Sequence, residues 1–242
     1  MYYSNRKIIR VQGQDHFMMQ DKVIVEHEVD IFYDECCLGT YSCTNKELRE
    51  LAIGLAFSKG YAIVEDMKIN MHGNQIHLIT SKEQPDSLAN GNLEQVRDDG
   101  KELRIEASDI LRCMRDLREA SGLFMETGGT HNGAWVYRGN LVDITEDISR
   151  NCMVDKLIGK ALNHAYDWKE LCILLSCRVS KGIMHKLSMA GIPIVVSMSA
   201  VMDTSIEMAK ITGTTLVGFT RYNRMNIYQG DGILLGVHDD QR

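Results

Sequence analysis

Three short segments constrain this chain more than any other feature. LCILLS (171–176), IPIVVSMS (192–199) and TTLVGF (214–219) are apolar at successive positions rather than alternately, so each reads as a strand covered on both faces. Between them, SKGIMHKLSMAG (180–191) has helical spacing and closes at Gly191, and TSIEMAKITG (204–213) reads as a helix opened by Thr204 with Glu207. Buried strands alternating with helices call for parallel pairing through crossover helices. An α/β body is therefore expected toward the carboxyl terminus.

The first half reads differently. Residues 22–44 (KVIVEHEVDIFYDECCLGTYSCT) alternate apolar and polar, with Asp34-Glu35 in the turn, as an antiparallel hairpin does. Thr44 opens TNKE, a capping-box spelling, and Leu48, Leu51, Ala52 and Leu55 follow at helical spacing until Gly60. Residues 67–80 form a second hairpin turning at His72-Gly73-Asn74, and 81–101 is a polar stretch without period, expected to be a mobile loop extending to 105. Ser108 starts a helix bearing Ile110, Met114 and Leu117 and ending near Gly122; 136–145 is a hairpin turning at Arg138-Gly139-Asn140, and 153–166 is helical. The organisation expected is a hairpin-rich α+β module over 1–107 and an α/β domain over 108–242.

At 242 residues the chain is long enough for a substantial core, and 33 acidic against 27 basic side chains (net −6) argue against a nucleic-acid wrapper. Its apolar runs are too short to span a membrane, and MYYSNRKIIR lacks the apolar stretch of a signal peptide. With seven cysteines, an odd number, reduced thiols and a cytoplasmic location are expected. No Cys-x-x-Cys occurs, and neither Cys36-Cys37 nor the Cys172 and Cys177 pair has a histidine at zinc spacing, so no metal site is expected.

Four segments lie where strands hand over to helices, the usual ligand edge of α/β proteins. Thr127-Gly128-Gly129-Thr130-His131 reads as a backbone N–H nest or as a plain turn. Glu146 to Arg150 with Asp155-Lys156 reads as a charged site or as a solvated helix cap. In Ser176-Cys177-Arg178-Val179-Ser180, Arg178 is a natural fork for phosphate or carboxylate, or a surface arginine paired with an acid. Phe219-Thr220-Arg221-Tyr222-Asn223-Arg224 combines guanidinium groups with aromatic rings, suited to a heterocycle and its phosphates, or is an ordinary exposed loop. All four are expected at one edge of a single parallel sheet. Cys177, beside Arg178, is the thiol whose pKa a neighbour could depress; Cys172 and Cys113 read as core.

In this order the segments resemble the formate dehydrogenase accessory protein family, FdhD. Thr127 to His131 is similar to its TGGxH, EDISRNCMVDK (146–156) to EDVGRHNAVDK, Ser176 to Ser180 to SGRxS, Ser197 to Ala200 to SxSA, and 213–228 to GxTLxGFxRxxxxNxY. The resemblance implies a cytidine-deaminase-like α/β domain behind the smaller module, and a homodimer. It implies a role in maturing a molybdenum- or tungsten-dependent formate dehydrogenase or related oxidoreductase, by binding the bis-guanylyl molybdopterin cofactor and passing it sulfur from a cysteine desulfurase, with GDP as a surrogate ligand. The implied contacts are Phe219 to Arg224, Thr127, Gly128, Gly129, His131, Arg150, Asp155, Lys156, Ser176, Arg178, Ser180 and Ser199.

This sequence departs from the family where its Cys-x-x-Cys would lie, since residues 81–105 hold no cysteine; Asn151, Gly182 and Ala200-Val201-Met202 also differ from the motifs. The zinc-deaminase signature is missing. The reading adopted is a cofactor-binding maturation protein that does not itself carry sulfur. The alternatives are a sulfurtransferase using Cys177 or Cys152, and a ligand-free scaffold or regulator.

Overall fold

A computed structural model describes residues 1–80, 103–164 and 166–235. The polar stretch expected to be mobile lies outside the described residues up to 102. Strands β1 (Tyr3–Gln12) and β2 (Asp15–Ile24) form an antiparallel ribbon that the periodicity of the sequence does not announce, because Ile9, Val11, Phe17 and Met18 stay exposed on it. Strands β3 (His27–Tyr33) and β4 (Cys36–Cys43) are the expected hairpin. Helix α1 (Leu48–Ser58) leads to the second hairpin, β5 (Lys68–His72) and β6 (Gln75–Ile79), giving a sheet ordered β4-β3-β6-β5. Ile31, Leu51, Leu55, Ile76 and Leu78 pack between sheet and helix.

Strand β7 (Ile105–Glu106) and helix α2 (Ala107–Ala120) come next, followed by a short helix, α3 (Gly122–Thr127), that sequence reading misses. Strands β8 (His131–Tyr137) and β9 (Asn140–Asp147) precede helix α4 (Arg150–Asn163). Then β10 (Leu171–Leu175), α5 (Lys181–Met189), β11 (Ile194–Ser197), α6 (Asp203–Thr212) and β12 (Thr215–Arg221) alternate as the buried segments require. Strand β13 (Arg224–Gln229) folds back on β12, and β14 (Ile233–Leu234) pairs with β7.

The main sheet has the order β13-β12-β11-β10-β8-β9. Only β10, β11 and β12 are mutually parallel; β8, β9 and β13 join antiparallel, which corrects the expectation of a single parallel sheet to a mixed one. The uniform hydrophobicity of LCILL has a direct cause. Cys172 and Leu174 face α2, whereas Leu171, Ile173 and Leu175 face the layer of α4 and α5, so both faces of β10 are dry.

The two sheets are joined by a crossing of α1 and α4. A Cβ on Gly54 would collide with the backbone carbonyl of Asp155, and one on Gly159 with that of Glu50, so the helices touch backbone to backbone. Gly159→Ala removes this approach although alanine favours helix. It is expected to lower unfolding free energy by about 1–3 kcal/mol in urea titration, the usual cost of overpacking.

Candidate functional site

Much of the charged sequence at 146–156 turns inward. Lys156 is fully buried and donates to Asp147 Oδ2 (2.6 Å), the Thr44 carbonyl (3.1 Å) and Thr44 Oγ1 (2.9 Å), which uses all three ammonium hydrogens. Asp147, also fully buried, further accepts from the Thr44 and Ser149 amides. Thr44 is thereby diverted from the capping role expected of it: α1 starts after Glu47, which sits at φ 55° with no side-chain cap bond. The cap of α6 also differs, formed between Met202 and Ser205 rather than by Thr204 and Glu207.

Asp155 accepts from Ser58 Oγ (2.8 Å) and Lys186 Nζ (2.5 Å), tying α4 to α1 and α5. Burial pushes its carboxyl above the ordinary range, with Lys186 opposing. Lys156, expected to neutralise cofactor pyrophosphate, and Asp155, expected among the cofactor contacts, are instead interior ties, because both side chains are buried and engaged. Glu146 accepts from the Leu123 amide (3.0 Å), the Phe124 amide (2.7 Å) and Thr130 Oγ1 (3.2 Å), so it caps α3. At the other end of α3, Gly128 (φ 65°) donates to the Phe124 carbonyl, and the Gly129 amide donates to Thr127 Oγ1. Of the two readings of this segment, the turn fits better than the N–H nest: it is a helix C-cap in which the Gly128 and Gly129 amides are already engaged.

What remains outward gathers at the carboxyl ends of β10, β11 and β12. The Asn132 amide donates to Ser176 Oγ and the Ser176 amide to the Asn132 carbonyl. Ser197 Oγ donates to the Cys177 carbonyl and accepts from the Ser199 amide, while the Phe219 amide donates to the Ser199 carbonyl. Because β8 runs antiparallel to β10, its first residue, His131, meets this same edge. Burial holds the His131 imidazole below its ordinary pKa, and the guanidinium groups of Arg150 and Arg178 push it further down. Among the described residues no carboxylate pairs with Arg150, Arg178, Arg221 or Arg224. Ser180 precedes α5 without capping it by its side chain. Among the described residues, Asn132 Oδ1 and Thr220 Oγ1 are interior polar atoms without a hydrogen-bond partner.

The fourth segment is a hairpin rather than a loop, turning at Tyr222-Asn223 between β12 and β13. Phe219 (φ 51°) and Tyr222 (φ 58°) adopt left-handed backbone, conformations usually left to glycine. Arg221 lies over the Phe219 ring at 5.7 Å, and Tyr222, Asn223 and Arg224 are exposed at the tip.

The thiols expected as alternatives fare poorly. Cys177 and Cys152 are buried, and burial pushes each up to about 11; Arg150 and Arg178 only partly offset this at Cys177. Cys43 is pushed up to about 12, and burial also raises Cys113 and Cys172. Cys36 and Cys37, directly after the Asp34-Glu35 turn, are exposed.

The model of the FdhD/NarQ family matches residues 24–234. The chain belongs to the FdhD/NarQ family. Sulfur carrier protein FdhD of Listeria monocytogenes serotype 4b (strain F2365) is 28% identical over 253 residues, covering 94% of this chain and 97% of that protein. Protein FdhD of Methanocaldococcus jannaschii is 30% identical over 224 residues, covering 92% and 94%. The fold is shared with a crystal structure of a putative formate dehydrogenase accessory protein from Desulfotalea psychrophila, at TM-score 0.83 and 21% identity over 97% of this chain and 100% of that one. Several family-like letters thus have an architectural task in this chain: Glu146, Asp147, Asp155 and Lys156 hold the frame from which Arg150 and Arg178 project. Lys156→Met strands the Asp147 carboxylate, and calorimetric unfolding should register a loss of about 3–5 kcal/mol.

Proposed function

We propose that this FdhD/NarQ chain is an accessory protein of a molybdenum- or tungsten-dependent formate dehydrogenase and binds the bis-guanylyl molybdopterin cofactor at the strand-end edge. The observation that carries the reading is that Arg150 and Arg178 both act on the same imidazole, His131, while among the described residues no carboxylate pairs with either guanidinium. An edge of that kind favours a polyanion such as a pyrophosphate. The β12–β13 tip adds Arg221 and Arg224 for further phosphate charge and Tyr222 for stacking on guanine. The cofactor is cargo here, and the chain's part is to hold its phosphates and present it.

The order β9-β8-β10-β11-β12, with β8 against the direction of its neighbour β10, supports a cytidine-deaminase-like domain. The names of the relatives support the accessory role. Sulfur carriage by Cys177 or Cys152 has the burial of both thiols against it.

Calorimetric titration with GDP tests the reading. Arg150→Ala and Arg178→Ala should each weaken binding by about 1.5–3 kcal/mol, roughly ten- to a hundredfold. Unchanged affinity in both variants removes the edge as the site, and no binding by the wild-type chain favours the scaffold reading.

A pH titration supplies an independent check. The free His131 titrates below its ordinary value, and a bound anion offsets the two guanidinium charges and raises it. Binding then takes up a proton, so GDP affinity should increase as pH falls through the bound-state pKa and level off below the free-state one. His131→Gln should abolish that slope.

A further inference from the structure

All seven cysteines of the sequence lie in the described residues, and five of them are interior. The other two are adjacent, and their exposure follows from the sheet. Asp34 (φ 49°) turns the chain, and β4 begins directly with Cys36, opposite Tyr33, and Cys37, opposite Phe32. The register then slips so that Ile31 faces Gly39; the extra residue, Leu38, turns into the core. Consecutive strand residues point to opposite faces, so the two thiols stand on different sides of the hairpin end rather than against each other.

The surroundings of the pair are ordered. Cys36 Sγ lies 3.4 Å from the Tyr61 hydroxyl. The Tyr61 ring packs on Tyr33 with centroids 4.6 Å apart, and the Tyr33 hydroxyl donates to the Ala62 carbonyl at 2.7 Å. On the other side, Phe32, opposite Cys37, stacks on His77 with centroids 4.6 Å apart. Tyr61 keeps its proton to higher pH than an ordinary tyrosine, chiefly through its hydrogen bond with Cys36, and so remains a donor to a thiolate there.

We propose that the Cys36–Cys37 pair, at the end of the β3–β4 hairpin, is where this chain accepts sulfane sulfur from a persulfide donor. The inference rests on the accessory reading above but departs from the expectation that the chain carries no sulfur, because relatives such as the Listeria protein are named sulfur carriers and this chain has no other exposed thiol. In the step, the Cys36 thiolate attacks the terminal sulfur of a donor persulfide, R–S–SH. The Cys36 Sγ–S bond forms as the donor S–S bond breaks, the sulfane sulfur keeps its proton, and the donor leaves as R–S⁻. Sulfur changes partner without net oxidation, so no further oxidant or reductant enters. Tyr61 acts as a positioning residue that stabilises the attacking thiolate, and Cys37, on the opposite face of the hairpin, is a second exposed acceptor.

The full-length chain is incubated with glutathione persulfide, then read by intact mass and by peptide mapping after alkylation. The wild type should gain sulfur on the peptide carrying Cys36 and Cys37. The Cys36→Ser/Cys37→Ser variant should gain none while binding GDP as before. Tyr61→Phe should load roughly threefold to tenfold more slowly, with its rate–pH profile moved upward. Undiminished loading of the double variant, or sulfur mapped to Cys152 or Cys177, overturns the proposal. A wild-type chain that binds GDP but takes up no sulfur also overturns it and leaves the cofactor reading standing, whereas sulfur uptake without GDP binding upholds it and defeats the cofactor reading.

Discussion

The buried contact between Lys156 and Asp147, closed by Thr44, is the interaction on which the rest of the architecture depends. It gathers the end of β4, the end of β9 and the first turns of α4 at one point. Two charges removed from water are tolerable only when their remaining hydrogen-bonding capacity is filled, and here the ammonium has three acceptors. The contact also fixes the start of α4, where Ser149 caps through the Cys152 amide and Arg150 is the first helical residue. The half-buried Arg150 is thus positioned by an ion pair that is itself closed to solvent.

Layering follows the same economy of roles. Glu146 holds α3, Asp147 holds α4, and Asp155 holds α1 and α5, so successive acidic residues along one short sequence each serve a different element. Their carboxylates are consumed internally, and among the described residues no carboxylate pairs with Arg150 or Arg178. The positive character of the edge on a chain of net charge −6 therefore arises from where the acids are spent rather than from an excess of bases.

The sequence made the strands β10, β11 and β12 legible because two-sided burial leaves an unmistakable run of apolar letters. The hairpins at Asp34-Glu35 and Gly139 were equally legible from alternation and turn residues. The β1–β2 ribbon was not, since its exposed apolar side chains follow no buried face. Helix α3 is too short for a period to register, and its capping carboxylate, Glu146, lies more than a dozen residues downstream. For the site, spacing identified the segments but not the direction of their side chains: a lysine on a ligand and a lysine in the core have the same letter. Only the packing of α1 against α4 separates Lys156 and Asp155 from Arg150.

Helices that meet through Gly54 and Gly159 have no cushion of side chains between them. Such an interlock resists sliding and twisting, because any displacement drives carbonyl oxygen into neighbouring backbone. The small sheet and the large one are consequently locked into a single frame, from which the exposed β12–β13 tip projects with Tyr222 in left-handed backbone.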